Sequence, residues 1–423
     1  MPVMVKILVS LAIIVAVQRL TGKLLAGVAA GTLLLAFWSG HTFHSFARVL
    51  ATSFLSKESL DNYMLLGIIF LVIWFSSQLS VTGVMKDLTG AVTGVFSRRT
   101  AMAVLPALIG LLPMPGGALF SAPLVDDCDD RKEIDNLLKT KINYWFRHIW
   151  EYWWPLYPGA IVAMDITGLD PAVFIAAMFP LSVLSVLTGR LFFLGKIARG
   201  GKKGATRFEA FLRPLFPIGV LLAVYVVIQM VFPFMKNTSK YLPMALGIVG
   251  AITAQQIAHP ISTRKWFEIL VSKKAFEMAA IVAIIRIYGA FIEAQIPGGD
   301  FLITQLRTEM AAAGIPPLLL IIALPFVASL TSGIAVGFVG ASLPIVMQLI
   351  GEHPSTAMVV STAVLAYGSG YIALLLSPVH VCLIVTNEHF KTSLIASLKG
   401  MIPPAAVLFA GICLWAYLIR MLF

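Results

Sequence analysis

The sequence predicts an all-α polytopic membrane protein built as two inverted repeats, each of five spans plus one re-entrant helical hairpin. Three observations lead there. Hydrophobic residues make up 59% of the 423-residue chain and charged residues 12%, with a mean hydropathy of +0.91. No soluble fold of this length hides that much apolar surface. Apolar runs near the ~20 residues needed to cross a bilayer follow one another almost end to end. Finally, two of these runs, 105–127 (LPALIGLLPMPGGALFSAPLVDD) and 324–346 (LPFVASLTSGIAVGFVGASLPIV), are broken at their centres by Pro, Gly and hydroxyl residues. They stand at matching places in the two halves.

In chain order, 5–18 is the first span, closed by Arg19 and Lys23. No small-residue cleavage site precedes a soluble domain, so it reads as a retained span and not a signal peptide. The second span is 24–38, a polar loop covers 41–57, and the third span is 62–80. The stretch 83–96 carries a charged pair among apolar residues at helical spacing and reads as an amphipathic interfacial helix. The first broken hairpin follows. A dense charged linker (Asp126, Asp127, Asp129, Asp130, Arg131, Lys132, Glu133) then has to lie outside the hydrocarbon. Span four, 142–164, holds Arg147, His148 and Glu151 and is interrupted by Pro155 and Pro158; span five is 171–187.

A basic linker at 195–213 divides the chain, leaving repeats at 1–194 and 214–423. The second half repeats the order. Spans 214–232 and 242–257 precede a basic segment at 259–274, then span 276–291 with Arg286 inside it, and an amphipathic piece at 298–313. The second hairpin comes next. Span 357–385 is interrupted at YGSGY (367–371) and again at Ser377-Pro378, and 401–422 closes the chain. Five spans plus a hairpin make an odd number of crossings, so the second copy is inverted. The basic loops agree, placing 195–213 in the cytoplasm and both termini outside. The first hairpin then enters from the cytoplasm and the second from outside.

The net charge of +11 sits in short loops. It sets topology and meets anionic lipid, so membrane lipid is a partner and nucleic acid is not. Cys128, Cys382 and Cys413 lack metal-ligand spacing and read as packing residues, with no disulfide, metal or cofactor expected.

Broken helices at membrane depth point to a site. Irregular backbone survives there only when buried in protein or lining a wet cavity. Pro113-Met114-Pro115-Gly116-Gly117 removes two N–H donors and allows close approach of a ligand. Ser329, Thr331, Ser332 and Gly333 add hydroxyls and a second flexible turn. Helix N-termini after such breaks favour anions. The two tips are expected to meet near the midplane. Arg286, flanked by apolar residues, either pairs with Glu293 or Glu151 or binds an anion; Ser377 joins the substrate set. Glu151 and His380 are the candidates for ion coupling. Arg147 and His148 read either as site residues or as an interfacial anchor among Trp145, Trp150, Trp153 and Trp154.

This arrangement resembles the ion transporter superfamily, which includes divalent anion/sodium symporters and gluconate and citrate permeases. Within it, LPMPGGALFSAPLVDD at 112–127 is similar to the prokaryotic membrane family called domain of unknown function 401. The resemblance implies a scaffold of outer helices, a moving unit that carries both hairpins, an elevator-type motion, a homodimer and a location in the prokaryotic inner membrane. The Ser-Asn-Thr tip motif of the dicarboxylate symporters is absent, so no dicarboxylate is implied. The expected function is Na⁺- or H⁺-coupled movement of a small anion, with Na⁺/H⁺ antiport or lipid-phosphate translocation as alternatives. A remote alternative is an intramembrane Mg-dependent prenyl-transfer enzyme, suggested by the acids at 126–130. That chemistry needs a second facing acid motif, which the sequence lacks, so no enzyme is expected.

Overall fold

The structure is a computed structural model that describes residues 2–422 except 56–58, 83–90, 112–116, 130–131, 199–211, 213–214, 297–298, 300 and 352. Among the described residues the chain is helical, with an isolated bridge between Gln295 and Phe301 and no strand. The first half contains α1 (Val3–Thr21), α2 (Leu24–Trp38), α3 (Phe43–Leu55), α4 (Ser59–Thr82), α5 (Arg98–Gly110), α6 (Ala118–Asp127), α7 (Asn136–Arg147), α8 (Pro158–Thr167) and α9 (Pro171–Phe192). The second contains α10 (Phe216–Val231), α11 (Leu242–Ala258), α12 (Thr263–Leu270), α13 (Lys273–Glu293), α14 (Leu302–Ala312), α15 (Pro317–Ser332), α16 (Ala335–Gln348), α17 (Thr356–Leu375), α18 (Val381–Phe390) and α19 (Leu394–Leu422).

The termini of these helices follow local chemistry. Asp135 accepts from the Leu138 N–H and starts α7, and Ser355 accepts from the Met358 N–H and starts α17. Asp170 caps α9, with Pro171 supplying the first helical residue. Six stretches among the described residues are long and apolar enough to cross a membrane: Val3–Thr21, Leu60–Thr82, Pro171–Lys196, Thr263–Glu293, Thr356–Leu375 and Leu394–Leu422. The chain is therefore a multi-pass, all-helical membrane protein. Three expected spans, α2, α10 and α11, are shorter at 15, 16 and 17 residues. At 1.5 Å per residue such helices reach roughly 22–26 Å, less than the ~30 Å hydrocarbon core.

The structure corrects several sequence expectations. The stretch 43–55 is the helix α3, not a loop, and 263–270 is the helix α12. Both carry apolar and polar residues on separate faces, a pattern hidden by their modest overall hydrophobicity. The arms of the hairpins begin earlier than expected, at Arg98 and Pro317. YGSGY does not interrupt its helix. Gly368 and Gly370 lie inside α17, where they let Ile412 and Phe338 pack against the backbone. The break comes after Leu375, at 376–380. The amphipathic piece expected at 83–96 lies largely outside the described residues; that expected at 298–313 is α14.

The packing pairs recur between the halves. α1 packs on α2 and α10 on α11; α2 packs on α13 and α11 on α4; α3 packs on α13 and α12 on α4. Around the centre, α5 packs on α6 and α7, and α15 on α16 and α17. The second arm of each hairpin then reaches into the other half, with α6 against α18 and α16 against α8. Fully buried aromatic side chains fill this centre, including Trp145, Tyr144, Tyr152, Tyr367, Tyr371 and Phe338.

Candidate functional site

The described ends of four helix breaks lie close together inside the molecule. The breaks fall between α5 and α6, α7 and α8, α15 and α16, and α17 and α18. Contacts link them in a chain. The guanidinium of Arg147, at the end of α7, lies against Gly117: a Cβ built there would collide with Arg147 Nη2. His148 Nε2 meets His380 Nε2 at 3.1 Å. His380 Nδ1 lies 2.8 Å from the carbonyl of Gly333, which turns the second hairpin at φ +65°. Gly159, at the start of α8, abuts Ala335, at the start of α16. Each break brings an α-helix N-terminus to the centre, at Ala118, Pro158, Ala335 and Val381. The dipoles of these helices favour negative charge at such ends.

The two histidines form the middle of the cluster. A carbonyl oxygen only accepts, so the proton of each ring must sit on the nitrogen facing a carbonyl. His148 Nδ1 donates to Tyr144 O at 2.5 Å, and His380 Nδ1 donates to Gly333 O. With both rings neutral, the two Nε2 atoms are acceptors that point at each other. Two facing lone pairs repel unless a proton or a metal ion lies between them. A ring nitrogen of each histidine and the Cys382 sulfur lie within 4.8 Å of one another, and Glu151 Oε1 is 3.8 Å from His148 Nε2. Arg147 is 2% exposed, His148 1% and Glu151 7%. The reading of Arg147 and His148 as an interfacial anchor therefore does not hold.

The irregular stretch from His148 to Tyr157 is fixed by donors from all sides. Tyr371 OH donates to His148 O at 2.5 Å, and Tyr367 OH donates to Glu151 O at 2.7 Å. In return this stretch satisfies the end of the first hairpin arm. Trp150 Nε1 donates to Ala107 O at 2.8 Å, Trp154 Nε1 to Leu111 O at 2.9 Å, and Tyr157 OH to Gly110 O. The last carbonyls of a helix need such partners. These tryptophans thus bind protein carbonyls and do not form a lipid-facing belt.

The expected residues separate into groups. Gly117, Gly333, Glu151 and His380 belong to the cluster; Pro113, Met114, Pro115 and Gly116 lie outside the described residues. Ser377 is buried at the second break and donates to Leu330 O at 2.8 Å. Ser332 turns its carbonyl to Gln18 Nε2 at 3.3 Å, and Thr331 faces α1, its carbonyl accepting from Arg19 Nε at 3.0 Å. Ser329 Oγ is buried without a hydrogen-bond partner among the described residues. Arg286 stands apart. Its partner is neither Glu293 nor Glu151: Nη1 pairs with Asp165 Oδ2 at 2.8 Å, and Nη2 donates to Asn62 Oδ1 at 2.6 Å. It lines a separate cavity of about 230 Å³ with Asn62, Glu293 and Pro344. The side chains of Asn62 and Asp165 come from α4 and α8, so proximity in sequence gave no clue to this partnership.

Sequence reasoning missed Cys382 as a site residue. It also missed two buried, unpartnered polar atoms near the breaks, Ser121 Oγ and Asn143 Oδ1. Together with Ser329 they form a regular set: Ser121 follows Gly117 by four positions, Ser329 precedes Gly333 by four, and Asn143 precedes Arg147 by four. Each is thus one helical turn from its break. A polar residue one turn from a Gly or Arg in a broken span is a signal that the sequence does carry.

The charged linker is not wholly solvated. Asp129 and Lys139 are each 2% exposed and pair at 3.0 Å. Lys139 also pairs with Asp126 at 2.8 Å, and Arg98 pairs with Asp129 at 2.6 Å. This network ties both arms of the first hairpin to the start of α7.

Fold and site together define a multi-pass helical membrane protein with a buried polar centre built from broken helices. The chain belongs to the family described as protein of unknown function DUF401, whose model matches residues 4–419. No curated protein matches it.

Proposed function

We propose that the protein is a secondary active transporter that moves a small anion, coupled to Na⁺ or H⁺, by an elevator-type alternating-access mechanism. One observation carries the reading: Arg147 lies against Gly117 at the first hairpin, beside the His148–His380 contact that joins both broken helices and reaches Gly333 at the second. Four helix N-termini and a guanidinium in one buried place suit a small anion. Discontinuous helices at a central site are what secondary transporters use to hold substrate and ion together. The unpartnered Ser121, Asn143 and Ser329 atoms supply further hydrogen bonds for a polar ligand.

In this proposal the halves are inverted repeats. Exchanging α1 with α10, α2 with α11, α3 with α12 and α4 with α13 reproduces the outer packing pairs, and exchanging α5–α9 with α15–α19 reproduces the inner ones. The outer helices α1, α2, α4, α10, α11 and α13 act as scaffold, and the hairpins and broken helices move as one unit. The resemblance to the ion transporter superfamily supports the elevator motion, a homodimer and an inner-membrane location with the 195–213 linker in the cytoplasm. Prenyl-transfer chemistry is disfavoured, since Lys139 and Arg98 already neutralise Asp126 and Asp129.

The test is uptake into proteoliposomes of a panel of carboxylates, phosphate and sulfate under an imposed Na⁺ or proton gradient. At least one anion should accumulate under one gradient, and Arg147→Gln should abolish that uptake. Accumulation of no anion under either gradient, or full uptake by Arg147→Gln, overturns the proposal. Sodium-driven proton movement without any anion would establish antiport instead.

A further inference from the structure

We propose that His148, His380 and Cys382, with Glu151 as fourth donor, form a binding site for a borderline transition-metal cation, Zn²⁺ foremost. The observation is the ligand geometry. Two imidazoles 232 positions apart in sequence present their Nε2 lone pairs to each other at 3.1 Å. In a tetrahedral zinc site with Zn–N near 2.0–2.1 Å, two such nitrogens lie about 3.3 Å apart. A ring nitrogen of each histidine and the Cys382 sulfur lie within 4.8 Å of one another. His148, His380 and Cys382 are the preassembled part of this set; Glu151, 3.8 Å from His148 Nε2, would have to move toward the other two donors to complete it.

The surroundings fit as well. Metal-ligating histidines donate their other ring N–H to a carbonyl or carboxylate, which fixes the tautomer and the direction of the lone pair. Both rings do so here, to Tyr144 O and Gly333 O. The carbonyl of His148 is itself held by Tyr371 OH. Charge also balances. A divalent ion with one thiolate, one carboxylate and two neutral imidazoles is neutral, so the nearby Arg147 faces no net positive complex. The donors select the ion: two nitrogens and a sulfur suit Zn²⁺ and its neighbours, while Na⁺, Mg²⁺ and Ca²⁺ want oxygen. The site is thus distinct from a sodium-coupling site. The ligands come from both broken helices, so the metal would join the two halves beside the anion position.

The experiment reads metal and not transport. Protein purified in detergent is stripped with chelator, dialysed against Zn²⁺ and analysed by mass spectrometry for bound metal. Co²⁺ replaces Zn²⁺ as a spectroscopic probe, and X-ray absorption on the zinc-loaded wild type reports the ligand shell without any variant. The expected results are about one zinc per chain, a shell containing nitrogen and a single sulfur, and thiolate-to-cobalt charge-transfer absorption. That absorption should vanish in Cys382→Ser, and zinc affinity should fall at least ~10-fold in His380→Gln. Wild-type protein that retains no zinc, a shell without sulfur, or unchanged binding in both variants overturns the proposal. Stripped protein that still moves anions leaves the transporter reading intact, so the two can fail separately.

Discussion

His148 and His380 face each other Nε2 to Nε2 at 3.1 Å, with both remaining ring nitrogens committed to backbone carbonyls. The contact joins the broken helix of the first half to that of the second. Through Gly333 it also holds the second hairpin, and through the adjacent Arg147 it reaches the first. The central breaks are therefore not separate irregularities: each relies on the others for its hydrogen bonds and packing.

The close approach of Gly117 to Arg147 makes a sharp test of the anion site. A methyl at position 117 would collide with the guanidinium, the far end of a flexible side chain, so Gly117→Ala should fold while displacing Arg147. Affinity for the transported anion should fall about tenfold, equivalent to about 1.4 kcal/mol. Titration of the purified variant with the anion identified by uptake would check this. Unchanged affinity would remove Arg147 from the site.

Tyr371 supports the unwound stretch from below. Tyr371→Phe keeps the ring packed at a tilt against Tyr152, at 4.2 Å between centroids, but deprives the buried His148 carbonyl of its donor. The loss should be about 1–3 kcal/mol. It should appear as a lower melting temperature in detergent, with faster hydrogen exchange confined to residues 148–157 if the damage is local.

Arg286 and Asp165 are expected to act as a pair. Asp165 is buried and also accepts from Tyr241 OH at 2.8 Å. Arg286→Ala leaves its carboxylate short of a partner, so either single change should be costly and the double change less costly than their sum. The coupling in a double-mutant cycle should be about 1–3 kcal/mol. Melting temperatures of the four proteins measure it, and simple additivity would show that the ion pair is energetically idle.

Asp129 gives a pH signature. Burial alone would raise its carboxyl, but the Ile134 N–H, the Lys139 ammonium and the Glu133 N–H outweigh it and hold the group below the ordinary carboxylate range. Arg98 faces the same carboxylate. The folded value lies below the unfolded one, so Asp129 stabilises the fold fully above the ordinary range, about pH 4. That contribution is lost as pH falls through the depressed folded value. Asp129→Asn should lower the melting temperature at neutral pH, and the gap from wild type should narrow below about pH 4. A gap independent of pH would show that the carboxylate charge is not what stabilises the hairpin base.

Much of this protein could be read along the chain. The unbroken long apolar runs became helices, because a bilayer-length segment must satisfy its own backbone hydrogen bonds. Both broken hairpins were legible because Pro and Gly interrupt apolar runs at matching places. Glu151 and His380 were legible as rare ionisable groups in apolar surroundings. The amphipathic α3 and α12 were harder to see, since their apolar faces are distributed by helical period and not by continuous run.

The sequence by itself determined the membrane class, the order of the long apolar segments and the breaks near Pro155, Gly333 and Ser377-Pro378, since these depend on composition and on residues within one turn of each other. It did not determine the continuity of the helix through YGSGY. The tertiary structure decided what the breaks hold. Arg286 found Asp165 and not the expected glutamates, Cys382 joined two histidines, and the tryptophans turned to the hairpin carbonyls. Apart from His380, two positions from Cys382, those partners lie tens to hundreds of positions apart. A polar group buried in an apolar protein must satisfy itself with whatever the packing brings near, and that packing is a property of the whole fold.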